Sequence, residues 1–186
     1  QIVHDKINKK LIYKNALLKV YDVPILYFPK FFHPDPTVDR RSGFLKPRLN
    51  DSTIIGSSFS IPYFHEISPQ KDITIMPFIY EDSMQAIHGE YRQISERSSL
   101  VVHSGFVNNY KSASNNNERS IFHLFSKFNL DLNFKNFNSS NLLANIERVT
   151  NDTYLKLFEP NFLETNIMPA SQNKLTSEIK LILDHE

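Results

Sequence analysis

The stretch MQAIHGEYRQI, Met84 to Ile94, carries His88, Glu90 and Arg92 at alternating positions. On an extended strand, side chains two apart share a face. These three therefore line up together, with Gln85, Ile87, Tyr91 and Gln93 opposite. An imidazole and a carboxylate at this spacing are the donor types of a metal site or of an acid-base pair. Either chemistry needs a further ligand or a nucleophile, and none stands at a supporting spacing. A polar face is the reading that remains, with no metal, no cofactor and no catalytic residue assigned. His65-Glu66, just ahead of Pro69, reads as a solvated pair near a turn. Arg40 and Arg41 carry forked guanidinium groups that suit phosphate. They equally suit an anchor to Asp35, Asp39 or a neighbouring loop, and the structural role is the one favoured.

Composition bounds what must position these groups. The chain has 186 residues and a net charge of +1, which lacks the basic stripe of a nucleic-acid binder. Fifteen Phe and eight Tyr with no Trp and only four Gly suit a pleated surface better than helices. With no cysteine there is no disulfide framework within this span. No apolar run reaches the ~20 residues of a membrane helix, which leaves strand-built membrane proteins untouched. The chain opens on Gln1 without an initiating Met and closes with a strand-like pattern in progress, and it reads as an internal fragment.

The pattern is β almost throughout. Ile12 to Tyr21 is apolar and β-rich, and the four prolines of YDVPILYFPKFFHPDP exclude a helix there. Strands are expected over about Gly43–Leu49, Ile54–Ile67, Asp72–Tyr80, Met84–Ile94, Leu100–Tyr110, Ser120–Phe134, Leu142–Thr150 and Leu175–Leu183. VTNDTYLKLFEPNFLETNIMPASQN, between the last two, is expected to be a long external loop with one helical turn. In SIFHLFSKFNLDLNF, Phe122, Leu124, Phe128, Leu130, Leu132 and Phe134 share one face. His123, Lys127, Asn129, Asp131 and Asn133 share the other with Phe125. That alternation outlasts an ordinary strand and matches the ~9 to 11 residues that cross a bilayer at a tilt. A soluble sandwich produces the same alternation, so period alone leaves barrel and sandwich level.

Four pieces narrow the choice: YDVPILYFPKFFHPDP, the DRRSGFLKP junction, GSSFSIPYFHEISPQKDITIMP and GEYRQIS. In this order, across about Tyr21 to Arg92, they resemble the LptD (OstA, Imp) family of lipopolysaccharide-assembly proteins of Gram-negative outer membranes. SIFHLFSKFNLDLNF and VTNDTYLKLFE resemble the next parts of that family's barrel more loosely. The resemblance implies an all-β protein: residues 1–32 as the end of a periplasmic β-jelly roll, 33–42 as the inter-domain junction, and 43–186 as the first antiparallel strands of a large outer-membrane β-barrel. It also implies lipopolysaccharide transport through a lateral gate, with an LptE-like plug lipoprotein and an LptA-like periplasmic bridge protein as partners, and no catalysis. Asp39, Arg40, Arg41, Ser42 and Gly43 would form the junction. His88, Glu90, Arg92, Lys127, Asn129 and Asp131 would face the lumen.

Pro47 and Pro62 are the candidate gate residues. Proline lacks an N–H, so each removes a possible ladder hydrogen bond from the first two strands, where a closed barrel would otherwise be continuous. The plainer reading makes Pro47 a strand start and Pro62 a bulge. Without a catalytic motif, the competing function is a soluble β-sandwich carbohydrate-binding module using Tyr and Phe as stacking platforms. A span of this length, lacking its closing strand, is expected to leave open sheet edges.

Overall fold

The computed structural model describes residues 2–5, 10–20, 22–34, 40–81, 83–112, 115–158, 165–171 and 173–185. They fall into two units, residues 1–44 and 45–186. The protein is all-β, with antiparallel sheets and one short helix.

In the first unit β1 (Ile2–Asp5), β2 (Lys10–Val20) and β3 (Val23–Pro34) form a three-stranded sheet in the order β1-β2-β3. Pro24, Pro29 and Pro34 all lie in β3, an edge strand, where a missing N–H can face away from the ladder. A two-residue strand, β4 (Gly43–Phe44), ends the unit. Of the expected junction residues, Asp39 lies outside the described residues. Arg40 is exposed, Arg41 and Ser42 are half-buried, and Gly43 is buried.

The second unit is a long meander. Its strands are β5 (Arg48–Asn50), β6 (Ser58–Ser60), β7 (Tyr63–Ser68), β8 (Lys71–Tyr80), β9 (Gln85–Ile94), β10 (Ser98–Ser112), β11 (Asn115–Asp131), β12 (Ser139–Val149) and β13 (Glu178–Asp184). They run in the order β13-β12-β11-β10-β9-β8-β6-β5, with β7 also on β8. Among the described residues the sheet is open, with β5 and β13 at its edges. Strands of 15 and 17 residues, β10 and β11, are its longest. Val101, Val102, Phe106 and Val107 in the first and Ile121, Phe122, Phe125 and Phe128 in the second suit a pleated strand.

Two expected elements differ. Ile54–Ile67 is not one strand: Ile54 and Ile55 sit in a turn closed by mutual backbone hydrogen bonds between Ser52 and Gly56, the latter at φ +77°. The strand starts at Ser58 and breaks at Ile61-Pro62. The strand expected over Gly43–Leu49 likewise breaks before Pro47, and Leu45 N–H donates to the Pro62 carbonyl at 2.8 Å. Arg48↔Ser60 pairing, carried one step on, sets Pro47 near Ile61. Ser60↔Phe78 pairing, carried one step on, sets Ile61 near Pro77 of β8. Pro47 and Pro77 thus stand at one level and Pro62 lies one residue off it, so each of three neighbouring stretches lacks a donor at or beside this level.

The sheet has two unlike faces. One exposes Ile79, Ile87, Phe106 and Phe122, at 64%, 50%, 47% and 47%. The other buries Met76, Phe78, Ala86, Val107, Ile121 and Phe125 with Asp72, His88, His103, His123 and Glu147. The expected loop after β12 accounts for much of this burial. Its helical turn, α1 (Tyr154–Leu157), buries Tyr154, Leu155 and Leu157, and Phe158 is buried beside it. The segment packs onto the sheet instead of projecting outward, because four of five consecutive residues are large and apolar or aromatic.

Candidate functional site

The buried face is built in rows across the strands. Met76, His88, Gly105, His123 and Val149 are successive register partners from β8 to β12. Thr74, Glu90, His103, Phe125 and Glu147 form the next row, and Asp72, Arg92, Val101, Lys127 and Asn145 the one after. Strand alternation puts His88 and His123 on the same face, and the register brings them to either side of Gly105. A β-carbon on Gly105 would fall 2.6 Å from His88 Cδ2 and clash with the His123 ring. Glycine is required there because two rings fill its side-chain space.

Three imidazoles meet at this point. His103 Nδ1 and His123 Nε2 are 2.7 Å apart, with ring centroids at 4.9 Å and planes within 12°. Nearly coplanar rings at that spacing meet edge to edge, as an in-plane hydrogen bond requires. His123 Nδ1 lies 2.6 Å from the Tyr154 hydroxyl. Burial pushes the Tyr154 phenol above its ordinary value, with Tyr80 adding to the effect. A protonated phenol donates to His123 Nδ1, so His123 donates from Nε2 to His103 Nδ1. His103 Nε2 has no hydrogen-bond partner among the described residues. Aromatic rings enclose the chain: Phe125 lies 4.6 Å from the His123 centroid, Phe78 5.1 Å from His88 and Phe158 4.7 Å from Tyr154.

A second anchor lies toward β13. Glu147 accepts from Thr176 N–H at 2.6 Å and from Asn145 Nδ2 at 3.0 Å. Its own N–H donates to Ser177 Oγ at 3.0 Å. A carboxylate pulled from water is retained here because charge-assisted bonds hold it. Beside it is a hollow of about 500 Å³, lined among others by Ser99, Lys127, Asn129 and Asn145 on the sheet and by Ile167 and Met168 over it.

The six residues expected to face one way do share a face, but in separate surroundings. His88 joins the imidazole cluster, buried among aromatic rings instead of solvated. Arg92 Nε pairs with the buried Asp72 at 2.8 Å and approaches Glu90 at 3.7 Å. Lys127 and Asn129 line the hollow, while Asp131 is exposed at the end of β11, its carboxylate accepting from Asn133 N–H. His65 is exposed and stacks on Tyr63. Among the described residues no group of three or more ligating side chains could hold a metal ion. His103 Nδ1 and His123 Nε2 face each other as acceptor and donor. Sequence reasoning missed His103, Gly105, Tyr154 and Glu147 as members of one site. The available signal was a buried-phase histidine in each of three successive strands.

The site and fold define an all-β meander with large apolar side chains exposed on one face and, on its covered face, a hydrogen-bonded polar network set among apolar side chains. Its similarities lie with curated proteins named LPS-assembly protein LptD. One from Legionella pneumophila (strain Lens) is 28% identical over 181 residues, 92% of this chain and 21% of that protein. One from Pseudoalteromonas translucida (strain TAC 125) is 29% identical over 152 residues, 80% of this chain and 19% of that protein. One from Psychrobacter cryohalolentis is 30% identical over 112 residues, 59% of this chain and 11% of that protein. No protein-family model matches the chain. These relatives bear out the resemblance to the LptD family drawn from the motifs. The chain spans about a fifth of the length of the first two of them.

Proposed function

We propose that this chain is the part of a lipopolysaccharide-assembly protein in which a periplasmic jelly roll, ending near residue 32, passes through a junction at 33–42 into the first strands of an outer-membrane barrel. One observation carries the reading: the sheet leaves the large apolar side chains of Ile79, Ile87, Phe106 and Phe122 exposed on one face, while Asp72, His88, His103, His123 and Glu147 are enclosed among apolar side chains on the other. A soluble sandwich turns polar residues, not a band of large apolar ones, to water. In a barrel the apolar band meets lipid and the polar side chains line the lumen. The relatives' name, LPS-assembly protein, supports lipopolysaccharide assembly as the process.

On this reading lipopolysaccharide crosses to the outer leaflet through a lateral opening at the first strands, and Pro47 and Pro62 weaken that seam. The interruptions at Pro47, ahead of β5, and at Ile61-Pro62, between β6 and β7, support it, and Pro77 extends the weakness into β8. An LptE-like lipoprotein would plug the barrel and an LptA-like bridge would deliver cargo to the periplasmic part. The test is depletion of the full-length protein in its own cells. Surface lipopolysaccharide should fall and detergent sensitivity should rise. Unchanged surface lipopolysaccharide after depletion would refute the reading, and tight, saturable binding of this chain to free glycans would favour the carbohydrate-binding alternative.

A further inference from the structure

We infer that the segment Thr150–Phe158 is a releasable strap over the imidazole floor of the sheet, held down by the chain Tyr154–His123–His103. Four observations carry this. The strap is rooted by Thr150, whose Oγ accepts from Phe122 N–H at 2.8 Å and donates to the Phe122 carbonyl at 3.2 Å. It is shaped by Asn151, whose carboxamide oxygen accepts from the Thr153 N–H and hydroxyl at 2.8 and 2.7 Å. Its apolar residues are buried against the sheet, yet α1 is a single turn of four residues with no side-chain cap, too short to hold its shape alone.

Among the described residues, a polar side-chain link between the buried tip of the strap and the floor is the 2.6 Å bond from Tyr154 to His123. That bond is supported from behind by His103, which fixes the orientation and tautomer of His123. The chain then stops at His103 Nε2, which has no hydrogen-bond partner among the described residues. A network left incomplete at one end is a weaker hold than a closed one. The tip of the strap is thus secured by packing and by this directional bond, and its release uncovers the rings of His88 and His123, against which Phe158 and Tyr154 lie. Tyr154 is the fastener; His103 is a positioning residue that acts through His123. Nothing in this depends on which cargo the protein handles.

This span contains no cysteine, and the labelling that the folded full-length protein gains on Ala86→Cys, over that of the protein without the change, reports access to the covered face. A small water-soluble maleimide is the probe. Labelling should be slow in the parent and roughly fivefold to tenfold faster with Tyr154→Phe, which removes one hydroxyl and keeps the ring. His103→Leu should raise it in the same direction by releasing His123. His65→Ala, on an exposed side chain elsewhere, should leave the rate unchanged. If Tyr154→Phe did not fold, Thr150→Val at the root of the strap carries the same test. The proposal is overturned by an unchanged rate in the folded Tyr154→Phe protein, or by an equal rise with His65→Ala, which would mean general loosening.

Discussion

Gly105 and His123 are register partners on neighbouring strands, and the His123 ring occupies the space that a side chain on Gly105 would need. The His88 ring crowds the same point from the other side. Gly105→Ala should therefore push two packed rings apart and cost about 1 to 3 kcal/mol. Gly89→Ala supplies the contrast, since its added carbon would meet nothing nearer than 3.9 Å. That change should stay within roughly 0.5 kcal/mol of the parent. Urea unfolding of the two variants in detergent checks the difference, and equal stabilities would remove the ring crowding as a constraint.

The exposed apolar face predicts an orientation. Leu130 lies on that face with Leu124 and Phe128, while Asn129 lies on the covered-face side with Lys127. Leu130→Arg near the middle of the bilayer should cost about 2 to 4 kcal/mol, and Asn129→Arg much less. Single-cysteine labelling from water should mark position 129 and spare 130. Labelling at 130 alone would invert the assignment of lipid and lumen.

Arg40 and Arg41 are expected to set the docking of the periplasmic part. Changing both to Ala should lower lipopolysaccharide delivery while the barrel still assembles, as read from a heat-modifiable band on a gel. Normal delivery would take both residues out of the mechanism. Failed assembly would make them folding determinants instead.

The proline line predicts an effect without loss of stability. Pro47→Ala and Pro62→Ala each restore a backbone donor, worth about 0.5 to 1.5 kcal/mol where a bond forms. A seam that must open each cycle would then be open less often, by up to roughly tenfold for 1.4 kcal/mol in a two-state element. Surface lipopolysaccharide should fall in cells whose only copy carries both changes, and Pro77→Ala should deepen the defect. Full delivery at normal protein levels would leave the prolines as local strand punctuation.

Much of the fold was legible because strand alternation is a local property. The period of two across SIFHLFSKFNLDLNF separates Phe122, Leu124, Phe128 and Leu130 from His123, Phe125, Lys127 and Asn129 without knowledge of any neighbour, and the structure keeps that division. Prolines and turn residues marked most strand ends for the same reason: each acts on its own backbone. The imidazole cluster was not legible, because its members lie on three strands and meet only through register. Register depends on the turns and on irregularities such as those between Val107 and Ser112 in β10, and no single segment encodes it. The inward course of Thr150–Phe158 was likewise hidden, since Tyr154, Leu155, Leu157 and Phe158 needed an apolar floor to cover. Only the assembled sheet, with Gly105 leaving room for two rings, provides one.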